Sequence, residues 1–254
     1  GSRFRQRHAE YYRALFDRAE AEWESRDTGE WLGAYGPHIG NLRAALDWAF
    51  SPEGDSSIGA ALTVAAVPLW FQLSLVDECL GRVQQALASL DARPGEDLYR
   101  KMRLYGALGW PQMRAIAGVP SGVAAWKTAL VIAENLGDVD YQLRALWALW
   151  VDSANNAEHQ AALALAEKFC ALASNTTEPA DLNIGDRMRA RSLHFLGDQA
   201  GAYMYIKRML DSHVPPANRS HMARFQYDQR MTARITLARV LWVQGSADQA
   251  LPYH

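Results

Sequence analysis

Seven histidines, two cysteines and a scatter of arginine clusters are the residues of this 254-residue chain most able to do chemistry. The histidines show no metal-ligand spacing: there is no His-Glu-x-x-His and no Cys/His zinc pattern. Cys79 and Cys170 stand alone, with no Cys-x-x-Cys, so a disulfide framework is not expected and a reducing cytoplasm fits. Cys79, among apolar neighbours on an expected helix, reads as a small buried hydrophobe. No Gly-Lys pair exists, so no phosphate-binding P-loop is present. Ser121 in Gly118-Val-Pro-Ser-Gly122 lies among glycines but does not match Gly-x-Ser-x-Gly. It fits better as the cap of a helix after an interhelical turn. His38, beside Pro37, reads as a loop residue. Asn175-Thr-Thr and Asn218-Arg-Ser match glycosylation sequons, which matter only in a secreted chain. The expectation is a protein without catalytic residues, metal or cofactor.

Three arginine sets remain: Arg3, Arg5, Arg7; Arg187, Arg189, Arg191; and Arg224, Arg230, Arg234, Arg239. The net charge is -2, which gives no global attraction to nucleic acid or an anionic membrane. Charge is uneven, however. Residues 186–254 hold 10 Lys+Arg against 5 Asp+Glu, leaving 16 against 23 before them. Such asymmetry orients a charged partner or is simply a solvated face.

These residues need helices to position them. Apolar residues recur at helical spacing: Tyr12, Leu15, Phe16, Ala19 and Trp23 in 4–24, and Leu42, Ala45, Leu46, Ala49 and Phe50 in 41–50. Trp31–Gly40 is glycine-rich and broken by Pro37, and Ser51–Asp55 reads as a loop. From Ser56 onward the pattern becomes a run of helical hairpins: 58–73 with 77–90, 98–117 with 122–136, 139–153 with 157–173, a pair within 193–210 that turns at Gly197-Asp198, and 225–244 with 247 onward. Gly137 is a good helix stop and Asp138 a good cap. Loops are expected at 91–97 and 174–179, and a break at Pro215-Pro216. The hairpin turns fall near Ser74, Gly118, Asn156, Gly197 and Gly245, at spacings of 44, 38, 41 and 48. Helix pairs with a period near forty imply an all-α fold, an α-solenoid of antiparallel helix pairs, because one hairpin cannot bury its own apolar face. The longest apolar stretch, 60–73, is interrupted and too short to span a bilayer.

Gly197-Asp-Gln-Ala-Gly-Ala202 and Gly245-Ser-Ala-Asp-Gln-Ala250 resemble the centre of a tetratricopeptide repeat, where a turn glycine is followed five residues on by a small alanine. Asn156–Ala161 and Ser74–Cys79 resemble degenerate copies. A second resemblance covers residues 4–90. Arg7-His-Ala-Glu-Tyr-Tyr12, Asn41-Leu-Arg-Ala-Ala-Leu-Asp-Trp-Ala49 and the alanine-rich stretch ending in Leu69-Trp-Phe-Gln72 look like the helical segment after the signalling ATPase in bacterial multidomain winged-helix transcription regulators. This implies an N-terminal helical segment at 3–55 leading into repeats at 56–254. It also implies a non-enzymatic sensor and interaction module that contacts an ATPase domain outside this sequence. Gly1-Ser2 looks like a cloning scar and the chain stops inside a new helix, so a piece of a longer protein is expected. The alternative is a general peptide-docking scaffold unrelated to transcription.

Tetratricopeptide repeats bind on the face lined by the first helix of each pair. Counting back from each turn, the resemblance implies Phe71, Arg114, Trp150, Arg187, Arg191, His194, Arg239 and Trp242 as lining residues. Arginine with tryptophan suits a peptide carboxylate, a phosphate or a planar small-molecule effector. The same residues also fit a plainer account, with Trp150 and Trp242 in the core and the arginines in water.

Overall fold

The computed structural model describes residues 2–92, 97–114, 120–212 and 228–250, with side chains described outside 110–114 and 120–121. The turn expected at Gly118, the cap role of Ser121, the side chain of Arg114 and the break at Pro215-Pro216 lie outside the described residues. So do the first residues of the helix expected from Phe225. Among the described residues every regular element is helical. They divide into two compact units, 1–137 and 138–254, so the expected boundary at 55/56 falls inside the first.

The first unit contains α1 (Ser2–Trp23), α2 (Thr28–Tyr35), a 3-10 turn (Gly36–His38), α3 (Ile39–Ala49), α4 (Ser56–Gln72), α5 (Val76–Asp91), α6 (Leu98–Arg114) and α7 (Pro120–Leu136). Its centre is α4, buried on every side from Ile58 to Ala66 and again at Leu69 and Trp70. A helix apolar all round must be enclosed, and α1, α2, α3, α5 and α6 all pack on it. The glycine-rich stretch after Trp31 is a helix, not an irregular segment. Asp27 caps it by accepting from the amides of Gly29 and Glu30. The fully buried Trp31 donates its Nε1 to the Ala19 carbonyl at 2.7 Å. Burial of one large ring outweighs the weak helix propensity of two glycines. Pro37 opens the 3-10 turn, where its missing amide costs no helical bond.

The second unit contains α8 (Val139–Asn155), α9 (His159–Ala173), α10 (Pro179–Leu196), α11 (Gln199–Asp211), α12 (Gln229–Val243) and α13 (Ala247–Ala250). Asp138 caps α8 through the Tyr141 amide, and Gly137 before it is left-handed. Sequential helices pack in turn, α8 on α9, α9 on α10, α10 on α11 and α11 on α12, and α10 also packs on α12. A core of Ala190, Ile206, Met209, Ala233, Leu237, Leu241 and Ala250 closes the last two pairs.

One turn recurs in the four hairpins described across their connection. Ser74, Ala157, Gly197 and Gly245 have positive φ. In each case the next residue donates its amide to the carbonyl five residues back: Leu75 to Trp70, Glu158 to Ser153, Asp198 to Leu193 and Ser246 to Leu241. This bond satisfies a helix-end carbonyl that has no partner within the helix. Five residues after each left-handed residue stands a small, fully buried side chain: Cys79, Ala162, Ala202 and Ala250. In the third pair the register differs from the sequence expectation by one. Ala157, not Asn156, takes the left-handed position, and Ala162 is buried while Ala161 is exposed. Asparagine is the better left-handed residue, but seating Ala162 in the core decides the register.

Candidate functional site

The recurring turn gives each first helix a common ruler. Residues ten, six, three and two positions before the left-handed residue lie on one face of their helix. In α10 these are Arg187, Arg191, His194 and Phe195; in α12 they are Ile235, Arg239, Trp242 and Val243. Phe71 holds the third-back position in α4, where it is half-buried against the core of the first unit. Because the third pair turns at Ala157, Trp150 lies seven positions before the turn. That is where Ala190 and Ala238 are buried in the following pairs.

Trp150 is 0% exposed. Its Nε1 donates to Ser192 Oγ at 3.0 Å, and Ser192 Oγ donates to the Met188 carbonyl at 3.0 Å. Two arginines of α10 stack on its ring, Arg187 at 5.0 Å and Arg191 at 5.4 Å from the centroid. Arg191 also donates to Asn155 Oδ1 at 3.2 Å. Arg187 is 3% exposed, so its attraction to the ring acts with little screening. The structure thus brings Trp150, Arg187 and Arg191 together as a clamp holding α8 against α10. Arg191 is the member that water reaches.

His194 faces Gln199 across the turn. Its Nδ1 lies 2.7 Å from Gln199 Oε1, and Gln199 Nε2 donates to the His194 carbonyl at 2.9 Å. Phe195 beside it is exposed and stacks on the His159 ring at 4.7 Å and 11°. On α12, Arg239 is exposed, Trp242 is 63% exposed and Val243 60%. Gln244 just beyond donates to the Gln199 carbonyl at 3.3 Å, tying the ends of the two pairs together. Sequence reasoning missed Phe195 and Val243. The signal that finds them is the turn register, which places both beside residues already singled out.

Nearby carboxylates are engaged elsewhere. Arg208 of α11 grips the buried carboxylate of Asp186 through two bonds, and Arg189 grips Glu167 through two. Cys79 and Cys170 are buried, and desolvation pushes both thiols up to about 12, far from a reactive thiolate. Among the described residues no group of three or more His, Cys, Asp or Glu is placed to hold a metal ion. None of the described helices is long and apolar enough to cross a membrane. The arrangement can present flat aromatic surface and positive charge to a partner.

No family model matches the sequence, and no curated protein matches it. Among solved structures, the chain is similar to the nearly identical TPR-like repeats of a putative kinesin light chain from Podosopora anserina. For a point variant of those repeats the identity is 17%, with 77% of this chain and 92% of that chain covered at a TM-score of 0.57. A second structure of the same repeats gives 16% identity, the same coverage and a TM-score of 0.56. At this identity the likeness speaks to fold alone, and the fold it shows is all-α: an α-solenoid class of antiparallel, tetratricopeptide-like helix pairs.

Proposed function

We propose that the chain is a non-enzymatic protein-interaction module that docks a polypeptide partner on the first-helix face of its second unit. One observation carries the reading. At matched positions before their turns, α10 and α12 present Arg191, His194 and Phe195, and Arg239, Trp242 and Val243. Cation and apolar surface thus recur in register on two packed helices. Large apolar residues left in water beside arginines are the composition of interaction surfaces. Arg187, on the same face of α10, is buried and stacks on Trp150.

In its finer form the reading makes the module a sensor within a bacterial, cytoplasmic transcription regulator, biasing an ATPase domain when a protein or small-molecule effector binds. The Asn41–Ala49 string supports it. Its Arg43 makes two bonds to Glu78, and its Asp47 accepts from Arg82, so surface ion pairs join α3 to α5 of the first hairpin. An N-terminal segment held in this way can pass a change in the repeats to whatever precedes it.

The test is a peptide-array screen on the whole chain, with hydrogen exchange to place what binds and a nucleotide-turnover assay alongside. Bound peptides are expected to protect α10 and α12, and no ATP should be hydrolysed. Turnover of nucleotide, or protection confined to the first unit, contradicts the reading.

A further inference from the structure

We propose that the partner segment is an acidic amphipathic helix lying along α12, an inference that rests on the docking reading above. α12 buries Gln229, Ala233, Thr236, Leu237, Ala238, Val240 and Leu241 against its own unit. Away from most of these, Met231 is 57% exposed, Ile235 40% and Trp242 63%, with the buried Ala238 on the same line between the last two. These three stand at i, i+4 and i+11, a stripe running about 16 Å along the helix axis. A straight apolar stripe of that length fits the stripe of another helix, whose anchors recur at the same three- and four-residue steps. An extended strand, with its two-residue alternation, has no such match.

Charge selects the flanks. From Gln229 through Ala247 the chain carries Arg230, Arg234 and Arg239 and no Asp or Glu. Arg239 flanks the stripe, four residues after Ile235 and three before Trp242. A partner helix with glutamates or aspartates beside its apolar residues sets a carboxylate against Arg239 while its apolar residues meet Ile235 and Trp242. Two copies of this face would bring arginine onto arginine, so a second copy is the poorer occupant.

The experiment uses the full chain and two labelled helical peptides with the same leucine and alanine stripe, one flanked by glutamates and one by lysines. Binding is followed by fluorescence anisotropy at low and high salt, and self-association by sedimentation. The glutamate peptide is expected to bind and to weaken as salt rises. Trp242→Ala is expected to weaken it about tenfold or more, and Arg239→Glu to shift preference toward the lysine peptide. Because both side chains are exposed, circular dichroism should show both variants folded. Equal binding of the two peptides, preference for the lysine peptide, or a dimer abolished by Trp242→Ala overturns the inference and leaves the docking reading standing. So does duplex DNA competing at α12. If extended peptides bind the array but neither helical peptide binds, the helix is wrong and the surface is right. If no polypeptide binds at all, both fail.

Discussion

The two units handle polarity in opposite ways. Among the described residues, the only fully buried polar side chain of the first unit is Thr63, whose hydroxyl turns back to the Gly59 carbonyl. The charges of that unit cross between helices near the surface, as Arg43 to Glu78 and Arg82 to Asp47. The second unit buries Asp181, Asn183, Asp186, Arg187 and Ser192 on α10 alone. An apolar core is cheap to form and tolerant of repacking, whereas a polar one is stable only while every member keeps its partner. α10, the most polar interior helix, is also the one whose Arg187 and Arg191 clamp Trp150.

The sharpest way to test this contrast is to empty one core at a time. Trp70 and Trp150 are both fully buried tryptophans with a bonded Nε1. Trp150→Ala should cost about 3–5 kcal/mol of stability and Trp70→Ala a similar amount, read by denaturant unfolding. The contrast lies in binding: Trp150→Ala should also release Arg187 and Arg191 and weaken peptide docking under conditions where the chain stays folded, while Trp70→Ala should not.

Ion pairs provide the next largest contrast. Arg208→Met leaves the buried Asp186 carboxylate without its two guanidinium bonds, a loss of about 1–3 kcal/mol. Arg43→Met breaks a pair whose carboxylate, Glu78, is more exposed than Asp186, and should cost about 0–1 kcal/mol. Equal losses would erase the distinction. The Arg43 pair has a pH signature of its own. Hydrogen bonds from Arg43 and then Trp70, opposed by partial burial, hold the Glu78 carboxyl below its ordinary pKa of 4.5. Its contribution is complete above that value and is lost as pH falls through the lower folded value. Thermal melts from about pH 6 to about pH 3, flanking that ordinary value, should therefore show an acid limb that flattens in Arg43→Met.

The turns give smaller, opposite effects at equivalent positions. Ala157 holds a left-handed conformation that alanine resists, so Ala157→Gly should stabilise the chain by about 0.5–1 kcal/mol. Gly197→Ala should destabilise it by about 1 kcal/mol. Both shifts are measurable as changes in denaturant midpoint. Smallest in stability is Trp242→Ala, expected within about 0.5 kcal/mol of the parent. Set beside Trp150→Ala, it separates a buried tryptophan from an exposed one.

Much of the fold was legible because its determinants are local. Gly197 and Gly245 announce their turns by conformational freedom, and Ala202 and Ala250 announce close packing by size. The third turn misled by one residue. Asn156 is locally the better left-handed residue, and only the packing of Ala162 between helices overrides it. The helix at Thr28–Tyr35 was hidden for a related reason, since its stability comes from Trp31 reaching Ala19 on another element. Among the candidate lining residues, counting back from the turn at Gly197 set Arg187 and Arg191 on one face of α10. Their partition into a buried Arg187 and an accessible Arg191 was not legible, because both carry the same side chain four residues apart.

The sequence by itself determined the helical class, the hairpin period and the positions of most turns, since periodicity and turn chemistry act over a few residues. Only the tertiary structure decided which tryptophan is core and which is surface. Trp150 and Trp242 have the same chemistry and lie within a few positions of equivalence, yet one ring is enclosed between α8 and α10 and the other stands in water. Burial depends on what packs from elsewhere in the chain, and no local pattern carries that information.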